Sequence, residues 1–203
     1  WFKLGQRVVG ECILSRGKDS LRKEVGVINF NGAYSKFIIM PGNAIHKIPD
    51  NVDSKIAVLT EPLAVVLRAL RRIESRLTPG SKIAVIGAGQ IGNLCTQVLT
   101  LQGYKVDLFD SDAKRLGILP HIANSTNITL ENLNSFDVII EATGSKDVLE
   151  RVLEDSPIDS TILLLGFPYG DMEYNFENVV GMEKVIIGSV GAESRDFRKA
   201  LEL

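Results

Sequence analysis

The chain has 203 residues, of which 45% are hydrophobic and 24% charged, proportions typical of a globular protein with a buried core. Its 23 basic and 25 acidic side chains give a net charge of −2, which excludes the strong positive field that attracts nucleic acid or anionic membranes. No apolar run approaches the ~20 residues of a membrane span, and the two cysteines lack close spacing, which fits a reducing compartment rather than a disulfide framework.

The first third of the chain is predicted to be mostly β-structure. Valine and isoleucine, which favour strands, are frequent in four segments, residues 6–14, 25–30, 33–40 and 45–48. The dipeptide Asn31-Gly32 is a strong turn signal between two of them, and Pro41-Gly42 ends a third. Short strands this close together favour a small barrel or sheet over a parallel β/α layer.

From Thr60 onward helices and strands alternate. Thr60 suits an N-cap and Pro62 a first helical turn, and leucines then recur at helical spacing until Thr78-Pro79-Gly80. Further strands are predicted over residues 82–86, 105–109, 137–140, 161–165 and 184–187, and helices over 90–102, 113–119, 146–154 and 194–203. This order predicts an α/β fold with a doubly wound parallel sheet and right-handed crossovers, preceded by the mostly-β part.

Residues 87–92, Gly87-Ala88-Gly89-Gln90-Ile91-Gly92, form a GxGxxG motif between an apolar strand and a helix. We expect Gly87 to make the tight turn, Gly89 to let a pyrophosphate approach the backbone, and Gly92 to allow close packing of helix on strand. Gln90 and Ile91 open the helix, whose free N–H groups and positive dipole end favour phosphate. The motif is weak alone, but its position predicts a Rossmann dinucleotide site.

Asp110 ends the next strand, 110 − 89 = 21 positions after the second glycine, close to the ~20 expected of a ribose-binding acid. A carboxylate there accepts from both ribose hydroxyls of NAD and repels the 2′-phosphate of NADP. Ser111, rather than an arginine, follows it, so NAD is favoured over NADP. Two alternatives are an αβ turn without a ligand and a methyltransferase, whose glycine turn and acidic strand end look similar.

Several further motifs occur in a fixed order along the chain. They are Gly32-Ala33-Tyr34 with Phe37-Ile38-Ile39-Met40-Pro41, His46-Lys47-Ile48-Pro49-Asp50, Thr60-Glu61-Pro62-Leu63-Ala64, Pro79-Gly80, Asp110 with Arg115-Leu116, Glu141-Ala142-Thr143-Gly144 and Gly188-Ser189-Val190. With the glycine motif, they make nearly the whole chain resemble the medium-chain, zinc-type alcohol and polyol dehydrogenases. The resemblance implies part of a GroES-like catalytic domain over residues 1–60, a Rossmann NAD-binding domain with a leading helix over 61–188, and a return segment over 189–203.

The resemblance also implies roles for residues near the cofactor. Asp110 would hold the adenosine ribose and Arg115 would flank the adenine. The remaining cofactor-lining positions follow three later strands and are Thr143, Gly144, Leu165, Gly166, Ser189 and Val190. The last two would lie at the nicotinamide end.

Glu61 matches a glutamate that polyol and glucose dehydrogenase-like relatives place near the catalytic zinc as a metal ligand. A carboxylate oxygen is acceptable to zinc, which would polarise the substrate hydroxyl so that hydride can leave for the nicotinamide. The alternative interpretation is an acid favoured by the dipole in a helix's first turn. We interpret His46 and Cys95 as structural and His121 as a surface residue.

Three departures from the family pattern shape the expectations. The other zinc ligands would precede Trp1, so we expect a fragment, cut at both ends, that contains no catalytic residue of its own and is inactive alone. The loop over residues 15–20 lacks the four cysteines of a structural zinc site, so that zinc is expected to be absent. After Arg115 the chain is short and reaches Pro120, which cannot continue a helix, so the wall of the adenine pocket is expected to be reduced.

The sequence thus predicts a zinc-type NAD-dependent dehydrogenase acting on an alcohol, polyol or sugar. The alternatives are a catalytically degenerate NAD-binding relative that acts as a sensor or assembly subunit, and a zinc-free quinone or enoyl reductase, which would prefer NADPH and against which Asp110 speaks. We expect cytoplasmic location, no nucleic-acid or membrane partner, and a homodimer or homotetramer formed through the apolar edge segment 185–188.

Overall fold

The computed structural model describes residues 2–15, 23–118 and 121–203. The strands are β1 Val8–Gly10, β2 Ile13–Ser15, β3 Lys23–Val25, β4 Asn29–Phe30, β5 Ile45–Lys47, β6 Ile83–Ile86, β7 Val106–Phe109, β8 Ser125–Asn127, β9 Val138–Glu141, β10 Thr161–Leu164 and β11 Val185–Gly188. The α-helices are α1 Ser54–Ala57, α2 Thr60–Arg72, α3 Gln90–Leu101, α4 Ala113–Leu116, α5 Lys146–Asp155, α6 Glu177–Gly181 and α7 Ser194–Glu202. None of these helices combines the length and the apolar character that crossing a lipid bilayer requires.

The chain divides into two compact units. One holds the described residues up to Arg68 together with Gly191–Leu203, and the other holds Ala69–Val190. The first division falls inside α2, which the sequence had assigned entirely to the second domain. The predicted boundaries, after residues 60 and 188, lie shortly before the two divisions.

The second unit is built on a six-stranded parallel sheet with the order β11-β10-β9-β6-β7-β8. The chain runs outward from β6 through β7 to β8, then returns to pair β9 with the other side of β6 and continues through β10 to β11. Every residue of β6 and β9 is buried, as expected of central strands covered on both faces. The predicted doubly wound Rossmann fold is confirmed. β11 forms one edge, and the predicted association of two copies through it stays a prediction.

One apolar cluster holds helices and loops against this sheet. It consists of the buried residues Ala84, Ile86, Phe109, Leu133, Phe136, Ile139, Leu149, Val152, Leu153 and Ile162. Three of them come from α5, whose apolar side repeats at helical spacing, and Phe109 meets Phe136 edge to face with ring centroids 5.8 Å apart. Burying one such side chain contributes roughly 1.5–3 kcal/mol, so this cluster stabilises the unit substantially.

The first unit contains two small sheets and the C-terminal helix. β1 pairs antiparallel with β5, and β2, β3 and β4 form a second sheet. Buried Glu11 of this unit accepts a hydrogen bond from the Ser194 hydroxyl and lies 2.8 Å from Nε2 of His46. The His46 ring stacks on Phe197 of α7, with centroids 5.3 Å apart. His46 thus occupies a structural position, and the predicted mostly-β character of this part of the chain is confirmed.

Several local predictions were wrong. Residues 33–40 were expected to form a strand, yet they have no regular secondary structure and expose Tyr34, Phe37 and Ile39. Apolar composition alone does not provide the paired neighbour that a strand's backbone groups require. The single strand expected over residues 6–14 is two strands, and β8 was missed because its Ser-Thr-Asn sequence carries no apolar signal.

The helix starts also differ from expectation. Thr60 is the first residue of α2, and its hydroxyl donates to the carbonyl of Ala57 at 2.7 Å instead of accepting as an N-cap. α4 is a single turn that ends at Leu116. Two sequence predictions lie outside the described residues, namely most of the cysteine-free loop at 15–20 and the effect of Pro120.

A buried lysine closes the carboxyl end of α5. Lys184 lies just before β11, is 7% exposed, and its Nζ donates to the carbonyl oxygens of Leu153 at 2.5 Å and Glu154 at 3.4 Å. The last carbonyls of a helix have no partner within it and carry the negative end of its dipole, so an ammonium group is favourable there. Burial lowers the pKa of Lys184, and nearby Asp155 opposes that shift.

We predict that Lys184→Met lowers the free energy of unfolding by about 1–3 kcal/mol, because the apolar stem is retained while the Leu153 and Glu154 carbonyls lose their charged donor and keep the neutral Nδ2 of Asn178. Urea denaturation at neutral pH measures the change. The control is Lys105→Met, at an exposed lysine of the same unit, which should shift stability by less than about 0.5 kcal/mol. Equal losses in the two variants would contradict a capping role for Lys184.

Candidate functional site

The carboxyl ends of the central strands β6, β9 and β10 lie at one edge of the parallel sheet. In open α/β sheets, ligands bind outside this edge, at the point where the strand order reverses. Here that point lies between β6 and β9, since the chain leaves β6 in one direction and returns on its other side. The loops that follow these strands contain most of the cofactor residues predicted from the sequence.

The glycine turn after β6 has the geometry of a close approach between strand and helix. Gly87 has φ of +102°, which a residue with a side chain rarely adopts, and its N–H donates to the Phe109 carbonyl at 2.7 Å. A Cβ on Gly92 would overlap the carbonyl oxygen of Gly87, so α3 touches the turn directly. Gly89 has open space where a Cβ would lie, which leaves its backbone accessible.

Asp110 lies beside this turn rather than pointing freely into solvent. Its Oδ2 accepts from the Ala88 N–H at 2.7 Å and its Oδ1 accepts from the Asp112 N–H at 2.8 Å, and the side chain is 7% exposed. An ionised carboxylate has about four acceptor sites, so the two bonds leave capacity for further donors. Arg115 has Nη1 3.7 Å from Oδ2 and is itself exposed, as is Ser111. The structure therefore brings Asp110 and Arg115 together at the turn.

Asn93, which sequence reasoning missed, holds the same turn from the other side. Its Nδ2 donates to the Ala88 carbonyl at 2.6 Å, while Asp110 takes the Ala88 N–H, so both backbone polar groups of Ala88 are fixed. The Oδ1 of Asn93 is buried and has no hydrogen-bond partner among the described residues. One sequence signal could have pointed to Asn93: it lies near the start of an apolar helix. Asparagine is unusual inside helices because its side chain competes for backbone hydrogen bonds, so its presence there suggests a specific partner.

The loops after β9 and β10 are also joined by a residue that sequence reasoning did not assign. Glu141 is 1% exposed and its carboxylate accepts from the backbone N–H groups of Thr143 and Gly144. Gly166, after β10, donates its N–H to the Glu141 carbonyl at 3.1 Å. The predicted positions Thr143, Gly144, Leu165 and Gly166 therefore lie together at this edge.

Ser189 and Val190 follow the edge strand β11. The Ser189 N–H donates to the Leu164 carbonyl at 3.1 Å, which continues the β10–β11 ladder by one residue. Ser189 thus lies next to the loop that begins at Leu165. The predicted binding roles of all these residues remain predictions.

Glu61, the predicted metal ligand, belongs to the other unit and has a thiol neighbour. The Cys12 side chain hydrogen-bonds the partly buried Glu61 carboxyl group, and Glu24 lies near enough to act electrostatically. Burial, together with the Glu61 and Glu24 carboxylates, raises the pKa of Cys12 to about 11. Burial also raises the pKa of Glu61, although the bond to Cys12 opposes the change.

The donor set around Glu61 was compared with what zinc requires. Protein-bound zinc takes four ligands in a structural site and three protein ligands in a catalytic one. Glu61 and Cys12 supply one oxygen and one sulfur, both acceptable atoms. Within residues 2–15, 23–118 and 121–203, however, no group of three or more His, Cys, Asp or Glu side chains could hold a metal ion. The described residues therefore do not form a complete zinc site.

The geometry at the sheet edge agrees with the relationships of the sequence. The model of the family described as glucose dehydrogenase C-terminus matches residues 54–203, more than half of the chain. The chain belongs to the glucose dehydrogenase C-terminus family. This membership confirms the predicted resemblance to the zinc-type alcohol and polyol dehydrogenases.

Known proteins are similar to this chain over nearly its whole length. L-threonine 3-dehydrogenase of Escherichia coli (strain K12 / DH10B) is 28% identical, covering 95% of this chain and 62% of the relative. The structure of a short chain alcohol dehydrogenase from E. coli CFT073, complexed with NADH, has a TM-score of 0.84 at 22% identity, covering 98% of this chain and 64% of that one. Haloferax mediterranei glucose dehydrogenase, in complex with NADP, Zn and gluconolactone, has a TM-score of 0.82 at 19% identity, with coverages of 99% and 67%.

These structural likenesses show a shared fold. The chain spans 62% to 66% of the length of the curated relatives it matches. The activity of the complete protein is therefore a matter for proposal.

We predict that an added methyl group destabilises the protein at Gly92 but not appreciably at Gly89. Gly92→Ala should lower the free energy of unfolding by about 1–3 kcal/mol or more, because its methyl group would displace the Gly87 carbonyl or the helix. Gly89→Ala should cost less than about 1 kcal/mol, since the space is open and the residue caps α3 with an ordinary φ of −72°. Urea denaturation of both variants tests this, and equal stability of the two would refute the packing at Gly92.

We also predict that Glu61→Gln accelerates alkylation of Cys12. A raised thiol pKa means less thiolate at a given pH, so native Cys12 should react slowly with iodoacetamide at pH 8. Removing the Glu61 charge lowers that pKa and should raise the rate severalfold, while buried Cys95, with a pKa of about 12, stays unreactive. Mass spectrometry with a chelator present measures the rates. Glu74→Gln, at an exposed position, is the control, and equal rates in both variants would contradict the contact.

Proposed function

We propose that the complete protein is an NAD-dependent oxidoreductase that transfers hydride between a hydroxyl of an alcohol, polyol or sugar and NAD. The single observation that carries the proposal is the placement of Asp110, whose carboxylate is bonded to the Ala88 N–H within the glycine turn. The turn and the acid thus meet at the point where the sheet order reverses. Membership of the glucose dehydrogenase C-terminus family supports the same reaction class.

The residues at this edge fit a dinucleotide. Gly89 leaves space beside the backbone at the start of α3, a twelve-residue helix whose first N–H groups and positive dipole end would face a pyrophosphate. Asp110 would accept from the ribose hydroxyls with its remaining acceptor sites. Exposed Arg115, 3.7 Å from that carboxylate, would lie over the adenine side.

NAD is proposed rather than NADP because of the charge at Asp110. A 2′-phosphate would lie in contact with the buried Asp110 carboxylate, and two negative charges in contact repel strongly where water is excluded. Arg115 is an available cation, but its guanidinium lies near both Asp110 and Asp112, which reduces its net attraction for phosphate. The Haloferax relative is titled with NADP and the E. coli CFT073 structure with NADH, so both choices occur among proteins of this fold.

The protein's own contribution to the reaction is binding and orientation. When bound, NAD supplies the carbon that accepts the hydride. The loops containing Thr143, Gly166 and Ser189 would line its nicotinamide half and hold one face of the ring toward the substrate. A fixed cofactor position raises the rate because the reacting atoms are already aligned.

Glu61 is proposed as one oxygen ligand of a zinc ion in the complete protein. The other ligands would come from outside the described residues, since those residues form no complete metal site. Cys12 is the neighbouring sulfur, and its bond with Glu61 keeps the carboxyl group oriented.

Titration with NADH and NADPH tests the proposal. We predict that the wild-type protein binds NADH more tightly, and that Asp110→Asn weakens NADH binding about tenfold while leaving NADPH binding equal or stronger. The ratio of the two affinities is informative, because both cofactors share the pyrophosphate and nicotinamide contacts. Asp159→Asn is the control, since Asp159 is exposed and its left-handed backbone suits asparagine.

The outcomes separate the hypotheses. Failure of the full-length protein, given zinc, to bind either cofactor would reject the proposed function. Binding of NADH without reduction of NAD by any alcohol, polyol or sugar would favour the alternative of a non-catalytic NAD-binding relative. Preference for NADPH would overturn the role given to Asp110.

A further inference from the structure

We infer that Glu141 is a positioning residue that fixes the distance between the three loops on which the dinucleotide would lie. The inference rests on the proposed function, because it concerns the same site. Glu141 ends β9, the strand beside β6, and is 1% exposed. The three residues before it, Val138, Ile139 and Ile140, are apolar and buried, so a carboxylate at the next position is exceptional within this strand.

The Glu141 side chain holds the loop that follows β9. Its Oε1 accepts from the Thr143 N–H at 2.6 Å, from the Gly144 N–H at 3.1 Å, and from the Thr143 hydroxyl. Hydrogen bonds to an ionised acceptor are roughly twice as strong as neutral ones. Three such donors on one buried oxygen turn the chain sharply at Gly144, whose φ is +71°.

The Glu141 backbone holds the second loop, which follows β10. Its carbonyl oxygen accepts from the Leu165 N–H at 2.8 Å and from the Gly166 N–H at 3.1 Å. A Cβ on Gly166 would overlap the Gly144 nitrogen and crowd Oε2 of Glu141. The loops after β9 and β10 are thus in direct contact, and one residue bonds to both.

The third loop is the glycine turn, which rests on the same segment. A Cβ on Gly87 would lie 3.0 Å from the Ala142 carbonyl carbon and 3.0 Å from Cγ2 of Thr143. Thr143 therefore touches the turn with its methyl group while its hydroxyl and N–H are held by Glu141. The position of the Glu141 carboxylate consequently sets how far the turn stands from the other two loops.

Two consequences distinguish positioning from general stabilisation. Weakening the carboxylate's hold should first loosen residues 142–145, which bond to it. It should then loosen residues 165–167, because Gly166 packs directly against Gly144, and both loops should respond before the rest of the sheet. It should also weaken the dinucleotide affinity although Glu141, which is almost fully buried, does not itself reach the cofactor.

Four variants of the full-length protein test this. Glu141→Gln keeps the shape but replaces the charged acceptor with a neutral one and adds a buried NH₂ donor. Thr143→Val keeps the methyl group and removes the hydroxyl, which also accepts from the Ser145 N–H at 3.0 Å. Thr143→Ser keeps the hydroxyl and removes the methyl group, so it separates the bond to Glu141 from the contact with the glycine turn. Glu150→Gln, at an exposed residue of α5, is the control for loss of a carboxylate.

The NADH dissociation constant is measured by fluorescence titration, and amide hydrogen exchange is measured without cofactor. We expect Glu141→Gln and Thr143→Val to weaken NADH binding about tenfold, and Glu150→Gln to stay within about twofold of wild type. Thr143→Ser should keep the slow exchange of residues 142–145, because its hydroxyl still donates to Glu141. Exchange in residues 142–145 and 165–167 should accelerate in the first two variants, with β6 and β7 unchanged.

Each contrary result has a distinct meaning. The inference would be overturned, and the proposed function kept, if the wild-type protein bound NADH and both Glu141→Gln and Thr143→Val matched it in NADH affinity and in loop exchange. Uniform acceleration of exchange across the whole sheet would also overturn it, by showing a general structural role. No binding of NADH or NADPH by the wild-type protein would reject the proposed function and this inference with it.

Discussion

Parallel pairing of β6 with β7 on one side and β9 on the other is the constraint on which the second unit depends. In a parallel sheet all carboxyl ends lie at the same edge, so residues distant in sequence are brought together without any side-chain bond. Gly87, Asp110 and Glu141 each follow or end one of these three strands, and the predicted cofactor positions beside them depend on that register. The apolar cluster under the sheet holds helices and connecting segments against these strands and so stabilises the register.

Buried polar groups order the loops at this edge. Burying them costs desolvation free energy, which the apolar core beneath them does not. An apolar side chain at position 141 would avoid desolvating a carboxylate, and replacement of buried charges by apolar groups is often neutral or stabilising. The unpartnered Oδ1 of Asn93 carries a further desolvation cost of about 1–3 kcal/mol. Both residues fix backbone groups of the turn and its neighbouring loop, so stability is lower here than an apolar edge would give, while the conformation is more closely defined.

The strands of the sheet and the glycine turn could be predicted from the sequence because each has a local signal. Buried strands are short apolar runs, and the turn has glycines at fixed spacing before a helix. Glu141 could not be assigned, because its role depends on a contact with another loop that no spacing shows. Asn93 carried only the signal of a polar residue near the start of an apolar helix, which does not reveal its bond to the Ala88 carbonyl. Residues 33–40 look like a strand by composition but lack a ladder partner in the described structure, whereas β8 has polar residues and is a strand only because β7 lies beside it. The Thr60 hydroxyl donates to the carbonyl of Ala57, the last residue of α1, so its role depends on the helix that precedes α2.

The fixing of Ala88 from two sides also bears on how quickly a ligand could be captured. Asp110 holds its N–H, Asn93 holds its carbonyl, and α3 contacts the turn at Gly92, so these contacts restrain the turn without any help from a ligand. A binding surface that is already ordered loses little conformational entropy on association, and association need not wait for a rearrangement. The encounter rate at this edge would then be governed by diffusion and orientation, and the lifetime of the complex by the contacts of the surrounding loops.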